Sequence, residues 1–183
     1  MGCLLQLLKE TGMRIGEALA LRWIDVDLER YVVLVNNPEK SGNPRALKIS
    51  GKLVTMINKL PKTNEKLFGK MIPKTAGSSL IKLRKRISEK LQNTRIRRIH
   101  FHALRHWKAT MEYHKTKDIL RVMKMLGHRN IQTTLIYTQL VSFEGDDFHS
   151  ATAETVEEAK KLVEAGFEYV CTHSDTMLFR KRK

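Results

Sequence analysis

Apolar residues recur at helical spacing along most of this chain and at strand spacing in a few short places. Leu4, Leu5, Leu7 and Leu8 predict a short helix that ends near Gly12, and Glu17, Ala18, Leu19 and Leu21 predict a second helical turn after it. The β-branched run Tyr31-Val32-Val33-Leu34-Val35 breaks that period. Asn36 to Pro44, dense in Asn, Pro, Gly and Ser, marks a turn, and Ala46-Leu47-Lys48-Ile49 returns as a second strand. Together they predict a β-hairpin with Lys40 at or near its tip. From residue 51 the pattern is helical again. Leu53, Ile57 and Leu60 share one face, as do Leu80, Leu83, Ile87 and Leu91, with Pro61 to Gly77 as the connector between them. A helix is expected to begin near His102. Another carries Ile119, Val122, Met123 and Leu126 and stops at Gly127, and a short one starts near Ile131 with Tyr137 on or beside it.

The composition shifts at Phe143 to Ser150, where Gly145-Asp146-Asp147 predicts a linker. Thr155-Val156-Glu157-Glu158 has the form of a capping box, and Gly166 is positioned to stop the helix it opens. Phe167 to Cys171 and Met177 to Phe179 predict a terminal hairpin turning at Ser174-Asp175. The expected fold is therefore mainly α with a small antiparallel β-sheet, an α+β arrangement. Residues 1–142 form the larger domain, and residues 143–183 form a helix-plus-hairpin tail.

Charge changes the picture more than hydropathy does. The 183 residues hold 34 Lys and Arg against 19 Asp and Glu, a formal net charge of +15. Such an excess selects a polyanionic partner, a nucleic acid or an acidic membrane surface. No apolar run approaches the roughly 18 residues that span a bilayer. The N-terminus lacks the basic-then-apolar pattern of a signal peptide. Cys3 and Cys171 lie far apart without metal-like spacing, so a reducing, cytoplasmic interior is the expected setting.

Three short motifs carry the candidate chemistry. Thr11-Gly12-Met13-Arg14-Ile15-Gly16-Glu17 comes first, His102-Ala103-Leu104-Arg105-His106 second, and Leu126-Gly127-His128 third, with Tyr137 nine residues after the last histidine. In this order the set resembles the catalytic signature of the tyrosine recombinase (integrase) family, over roughly Thr11 to Leu140. The resemblance implies DNA cleavage and rejoining through a 3′-phosphotyrosine, without metal, cofactor or ATP, because the bond energy is kept in the intermediate. It implies that Arg14 and Arg105 hold the scissile phosphate, that Tyr137 is the nucleophile, and that Lys40 is the general acid on the hairpin. His102 would assist proton transfer and His128 would hydrogen-bond the phosphate.

The chemistry suits these side chains. A planar guanidinium donates two hydrogen bonds and stays charged, which stabilises the charge a pentavalent phosphorane concentrates on its oxygens. Glu17, one turn after Arg14, can orient it. A phenol with a reference pKa of about 10 must lose its proton, and two nearby guanidiniums are expected to favour phenolate. Lys48 and Lys52 stand as rivals to Lys40, because hairpin register is not fixed by spacing.

Taken singly, each residue has a blander role: a solvated arginine, a turn lysine, a tyrosine at a core edge. The His102–His106 pair has the spacing of two metal ligands on a helix, but Ala103 stands where a zinc protease needs glutamate. The basic groups Lys82, Arg84, Lys85 and Arg86, and Arg95, Arg97 and Arg98, are expected to track a DNA backbone. Family members usually carry a core-binding domain ahead of the first arginine motif, whereas thirteen residues precede Arg14 here. The chain alone is thus expected to bind or cleave DNA weakly. Expected partners are duplex DNA and sister protomers, as a tetramer on DNA, with Thr155 to Phe179 docking on a sister subunit or on its own core. Three rivals remain: a type IB topoisomerase, a DNA-binding descendant without catalysis, and a basic module with no nucleic-acid role.

Overall fold

The computed structural model describes residues 1–139, 148–173 and 175–182. It divides into two units, Met1–Val141 and Ser142–Lys183. In the first, helix α1 (Gly2–Thr11) places Leu4, Leu7 and Leu8 in the core and ends at Gly12, whose φ of 66° is left-handed. Helix α2 (Ile15–Ala20) follows after a three-residue break. The sheet has order β1 (Val26–Asp27), β2 (Val32–Val35), β3 (Arg45–Lys48), all antiparallel, with Val33 opposite Leu47. Its pleat is legible in the burial: Val33, Val35 and Leu47 point inward, and Leu34 and Ala46 point out.

Helix α3 (Gly51–Asn58) is capped by Ser50 and packs Leu53 and Ile57 beneath α1. The Glu10 carboxylate accepts from both the N–H and the hydroxyl of Ser50 at 2.8 and 2.7 Å, which ties the end of α1 to the start of α3. Helix α4 runs Pro73–Lys90 and takes in the last five residues of the expected connector, because Pro73 sits at the first helical position where its missing N–H costs nothing. Helices α5 (Phe101–Thr116), α6 (Ile119–Leu126) and α7 (Gln132–Gln139) then form a second small core around Ala109, Val122, Leu126 and Tyr137.

In the second unit, β4 (Phe148–Ala153), α8 (Val156–Glu164), β5 (Glu168–His173) and β6 (Thr176–Arg182) build a sheet of order β4-β6-β5, on which α8 packs. The expected hairpin is present, although Ser174 in its turn lies outside the described residues. The linker expectation needs correction. Residues 143–147 lie outside the described residues, but Phe148 to Ser150 belong to β4, paired with β6 from Phe148↔Arg182 onward. Thr155 caps α8 as expected, while Glu158 returns its bond to the N–H of Glu154 rather than to that of Thr155.

Candidate active site

Five parts of the first unit contribute: α2, the β2–β3 hairpin, α5, the turn after α6, and α7. Arg14 is the N-cap of α2, and Glu17 is that helix's third residue. The carboxylate of Glu17, only 2% exposed, accepts from five donors. These are the Arg14 N–H (2.8 Å), Arg14 Nη1 (3.1 Å), the Glu39 N–H (3.3 Å), and Arg45 Nη1 (3.4 Å) and Nη2 (2.6 Å). Burial alone would raise the Glu17 pKa. The Arg45 hydrogen bond, the Arg14 N–H and the two guanidinium charges outweigh it and hold Glu17 below the usual carboxylate range.

The hairpin loop is gripped beside Lys40. Arg14 Nη1 donates to the Glu39 carbonyl at 3.3 Å, while Glu17 takes the Glu39 N–H. Gly16 leaves room for the Glu39 carboxylate, which any Cβ there would strike. Lys40 and Ser41 both follow in left-handed backbone, φ 55° and 54°, a conformation that costs a non-glycine residue about 1–2 kcal/mol. The exposed Lys40 side chain therefore projects from a strained turn whose base is fixed. Lys48 lies on β3 opposite Val32, and Lys52 in the first turn of α3.

Arg105 is the largest fully buried side chain, 1% exposed. Its Nη1 donates to the Gly12 carbonyl at 2.7 Å, and its Nη2 to the Leu126 carbonyl at 2.8 Å and to His128 Nε2 at 3.0 Å. Burial and the neighbouring Arg14 charge lower its pKa to about 10, so it stays cationic near neutrality. His128 follows Gly127 in a Schellman turn: its N–H reaches the Met123 carbonyl and that of Gly127 reaches Lys124, both at 3.1 Å. Because a guanidinium can only donate, His128 Nε2 is the acceptor. Nδ1 then carries the proton and donates to Thr134 Oγ1 at 2.9 Å. Burial, then the charges of Arg105, Arg14 and Arg45, lower the pKa of this imidazole to about 4, so it is neutral at ordinary pH.

Gly127 has a second duty. At φ 69° a Cβ would sit 2.7 Å from Arg45 Nη1 and 2.9 Å from the Asn43 carbonyl. Gly127→Ala is therefore expected to destabilise the fold by about 2–4 kcal/mol, combining left-handed strain with overpacking. Chemical denaturation checks it, and a loss below about 1 kcal/mol would show that the Arg45 strand yields freely.

Tyr137 is 2% exposed on α7, its ring centroid 5.4 Å from that of His106. The expected bias to phenolate is reversed here: burial raises its pKa and outweighs the opposing pull of Arg105 and Arg14. His102, one turn before Arg105, is exposed, with its ring 4.4 Å edge-on to His106. Partial burial of the ring, then the charges of His106 and Arg105, hold its pKa below the ordinary value. Among the described residues no His, Cys, Asp or Glu side chains group as a metal site requires.

The basic residues farther out divide. Lys82, Lys85 and Arg86 on α4, and Arg95 and Arg98 on the 3-10 turn Thr94–Arg98, face solvent. Arg84 instead donates to the Ile99 carbonyl at 2.8 Å, and Arg97 pairs with Glu89 at 3.4 Å. Arg45 was not foreseen. Its partner lies 28 residues away, and only its place as a charged residue opening a strand beside a Gly-Asn-Pro turn set it apart.

The arrangement gathers the guanidiniums of Arg14, Arg45 and Arg105 and the neutral His128 in the unit that holds the buried Tyr137. The chain belongs to the phage integrase family, whose sequence pattern matches residues 2–142. Tyrosine recombinase XerA of Saccharolobus solfataricus is 31% identical over 141 residues, covering 75% of this chain and 45% of that protein. The catalytic domain of bacteriophage HP1 integrase superposes with a TM-score of 0.58 at 27% identity, over 78% of this chain and 76% of that one. XerH site-specific recombinase bound to its difH substrate does so with a TM-score of 0.59 at 27% identity, over 75% and 42%. The chain thus spans less than half the length of the XerA relative it matches.

Proposed function

We propose that this chain is the catalytic domain of a site-specific recombinase that cuts and rejoins duplex DNA through Tyr137. One observation carries the reading: Arg105 and His128 are directly bonded at 3.0 Å, and Tyr137 is buried in the same small core against their helices. A scissile phosphate would set its non-bridging oxygens on Arg14 and Arg105. The Tyr137 oxygen attacks phosphorus, the bond to O5′ breaks, and Lys40 gives that oxygen its proton. His102, neutral because its pKa is held low, takes the phenolic proton. Burial of Tyr137 in its own unit supports attack within its own protomer. The likeness to XerH recombinase bound to its difH substrate supports duplex DNA as partner. The working form would be a tetramer on DNA in the host cytoplasm, with residues 143–183 as an oligomer contact.

The test is a nicked suicide duplex incubated with the protein and resolved on a denaturing gel. A covalent band is expected, followed by strand transfer between two duplexes. Relaxation of supercoils without transfer would instead indicate a topoisomerase, and DNA binding without any band a domain that has lost catalysis.

Lys40→Ala should slow cleavage by about 10²–10⁴-fold, the usual worth of a general acid. A duplex with sulfur at the bridging 5′ position should restore most of the rate, since a thiol of pKa about 8.5 leaves without a proton. If Lys48→Ala or Lys52→Ala shows that rescue and Lys40→Ala does not, the acid is misassigned.

A further inference from the structure

We propose that Arg45 is a positioning residue of this site: by neutralising Glu17 it leaves the Arg14 guanidinium in electrostatic excess for the phosphate, and by filling the space over Gly127 it holds the His128 turn in register. The inference rests on the recombinase reading above. Its geometry does not. Arg45 is 5% exposed, an unusual burial for an arginine, and both its terminal nitrogens reach the Glu17 carboxylate. Arg14 uses the same carboxylate. A single Arg14–Glu17 pair would be close to neutral and would offer a phosphate little. With Arg45 present, three guanidiniums (Arg14, Arg45 and Arg105) stand against the carboxylates of Glu17 and of Glu39 beside Gly16, so the site keeps a net positive charge until a phosphodiester arrives.

The same side chain bridges two parts of the site that are distant in sequence. Arg45 Nη1 lies 2.7 Å from where a Cβ of Gly127 would be, and the Asn43 N–H, two residues earlier, donates to the Gly127 carbonyl at 3.0 Å. The β3 end of the loop that carries Lys40 is thereby clasped to the turn that presents His128. Arg45 also contributes to keeping His128 neutral, in company with Arg105 and Arg14 and against Glu17.

Arg45→Gln and Arg45→Lys separate charge and fork geometry from mere folding. Cleavage of the suicide duplex by Arg45→Gln should fall by about 10²-fold, with DNA affinity within about threefold of the parent. On a duplex whose scissile phosphate is replaced by an uncharged methylphosphonate, parent and variant should cleave within about threefold of each other, because the charge that Arg14 must meet is gone. Arg45→Lys, which keeps charge without the fork, should fall between. Equal slowing on both substrates would overturn the proposal and leave Arg45 a structural residue. A His128 titration followed by NMR on the DNA-free protein gives a readout that survives failure of the recombinase reading. Arg45→Gln should raise the His128 pKa. An unchanged titration would refute the coupling even in a chain that never cuts DNA.

Discussion

Replacing Tyr137 by phenylalanine will abolish the covalent protein–DNA band while leaving the fold intact. The variant removes one oxygen and keeps the ring that packs against Ala109, Val122 and Leu126. Stability should stay within about 1 kcal/mol of the parent, whereas Tyr137→Ala would cost about 3–5 kcal/mol and confuse the lost nucleophile with a lost core. The loss of cleavage should be at least about 10⁴-fold, since the covalent nucleophile itself is removed. A residual band of parental intensity in Tyr137→Phe would mean that another residue attacks and that the site has been misread. Because the phenol is buried and its pKa raised, the resting tyrosine is sheltered and protonated. For the proposed attack, movement of α7 or arrival of the phosphate beside it would have to activate the phenol. Mixing Tyr137→Phe with Arg105→Ala tests attack within one protomer, for which no active site is restored by the mixture.

Glu17→Gln is expected to have the largest effect on stability. The carboxylate answers five donors, three of them guanidinium nitrogens of Arg14 and Arg45. An amide answers fewer, and its NH₂ end must face one of those donors. Breaking a buried ion pair from one side typically costs about 3–5 kcal/mol, because the remaining charge stays buried. Cleavage should fall as well, since both Arg14 and the base of the Lys40 loop lose their anchor. The pH dependence has a definite sign. The folded-state pKa of Glu17 lies below its unfolded value of about 4.5, so its contribution is complete above that pH and is lost as pH falls through the lowered folded value. The stability gap between parent and Glu17→Gln should therefore be constant near neutrality and narrow below about pH 4.5. A gap independent of pH down to acid unfolding would show that the effect is steric rather than ionic.

Most of the helical frame was legible in the sequence, because the apolar period and the stops at Gly12 and Gly127 agree with each other. The β2–β3 hairpin was legible for the same reason at period two. Strand β1 was not, since two residues carry no period. The start of β4, Phe148 to Ser150, falls in the expected linker because His149 and Ser150 lack the β-branched apolar signature, and pairing to β6 supplies what propensity does not. The motif order placed Arg14, His102, Arg105, His128 and Tyr137 in one site. It could not show which are buried, because burial is set by packing partners distant in sequence. That is why the phenolate expectation failed, and why Arg45, joined to Glu17 only in three dimensions, went unseen.

Arg105, which would hold the phosphate in the proposed reaction, also braces the fold, since its hydrogen bonds complete the carbonyls at the end of α6 and beside the end of α1. Selection would therefore retain it in a descendant that no longer cuts DNA, for the sake of folding alone. Its persistence is a poor marker of living activity. Lys40, exposed on a strained turn, has no such structural shelter and would be among the first to drift once catalysis ceased to matter.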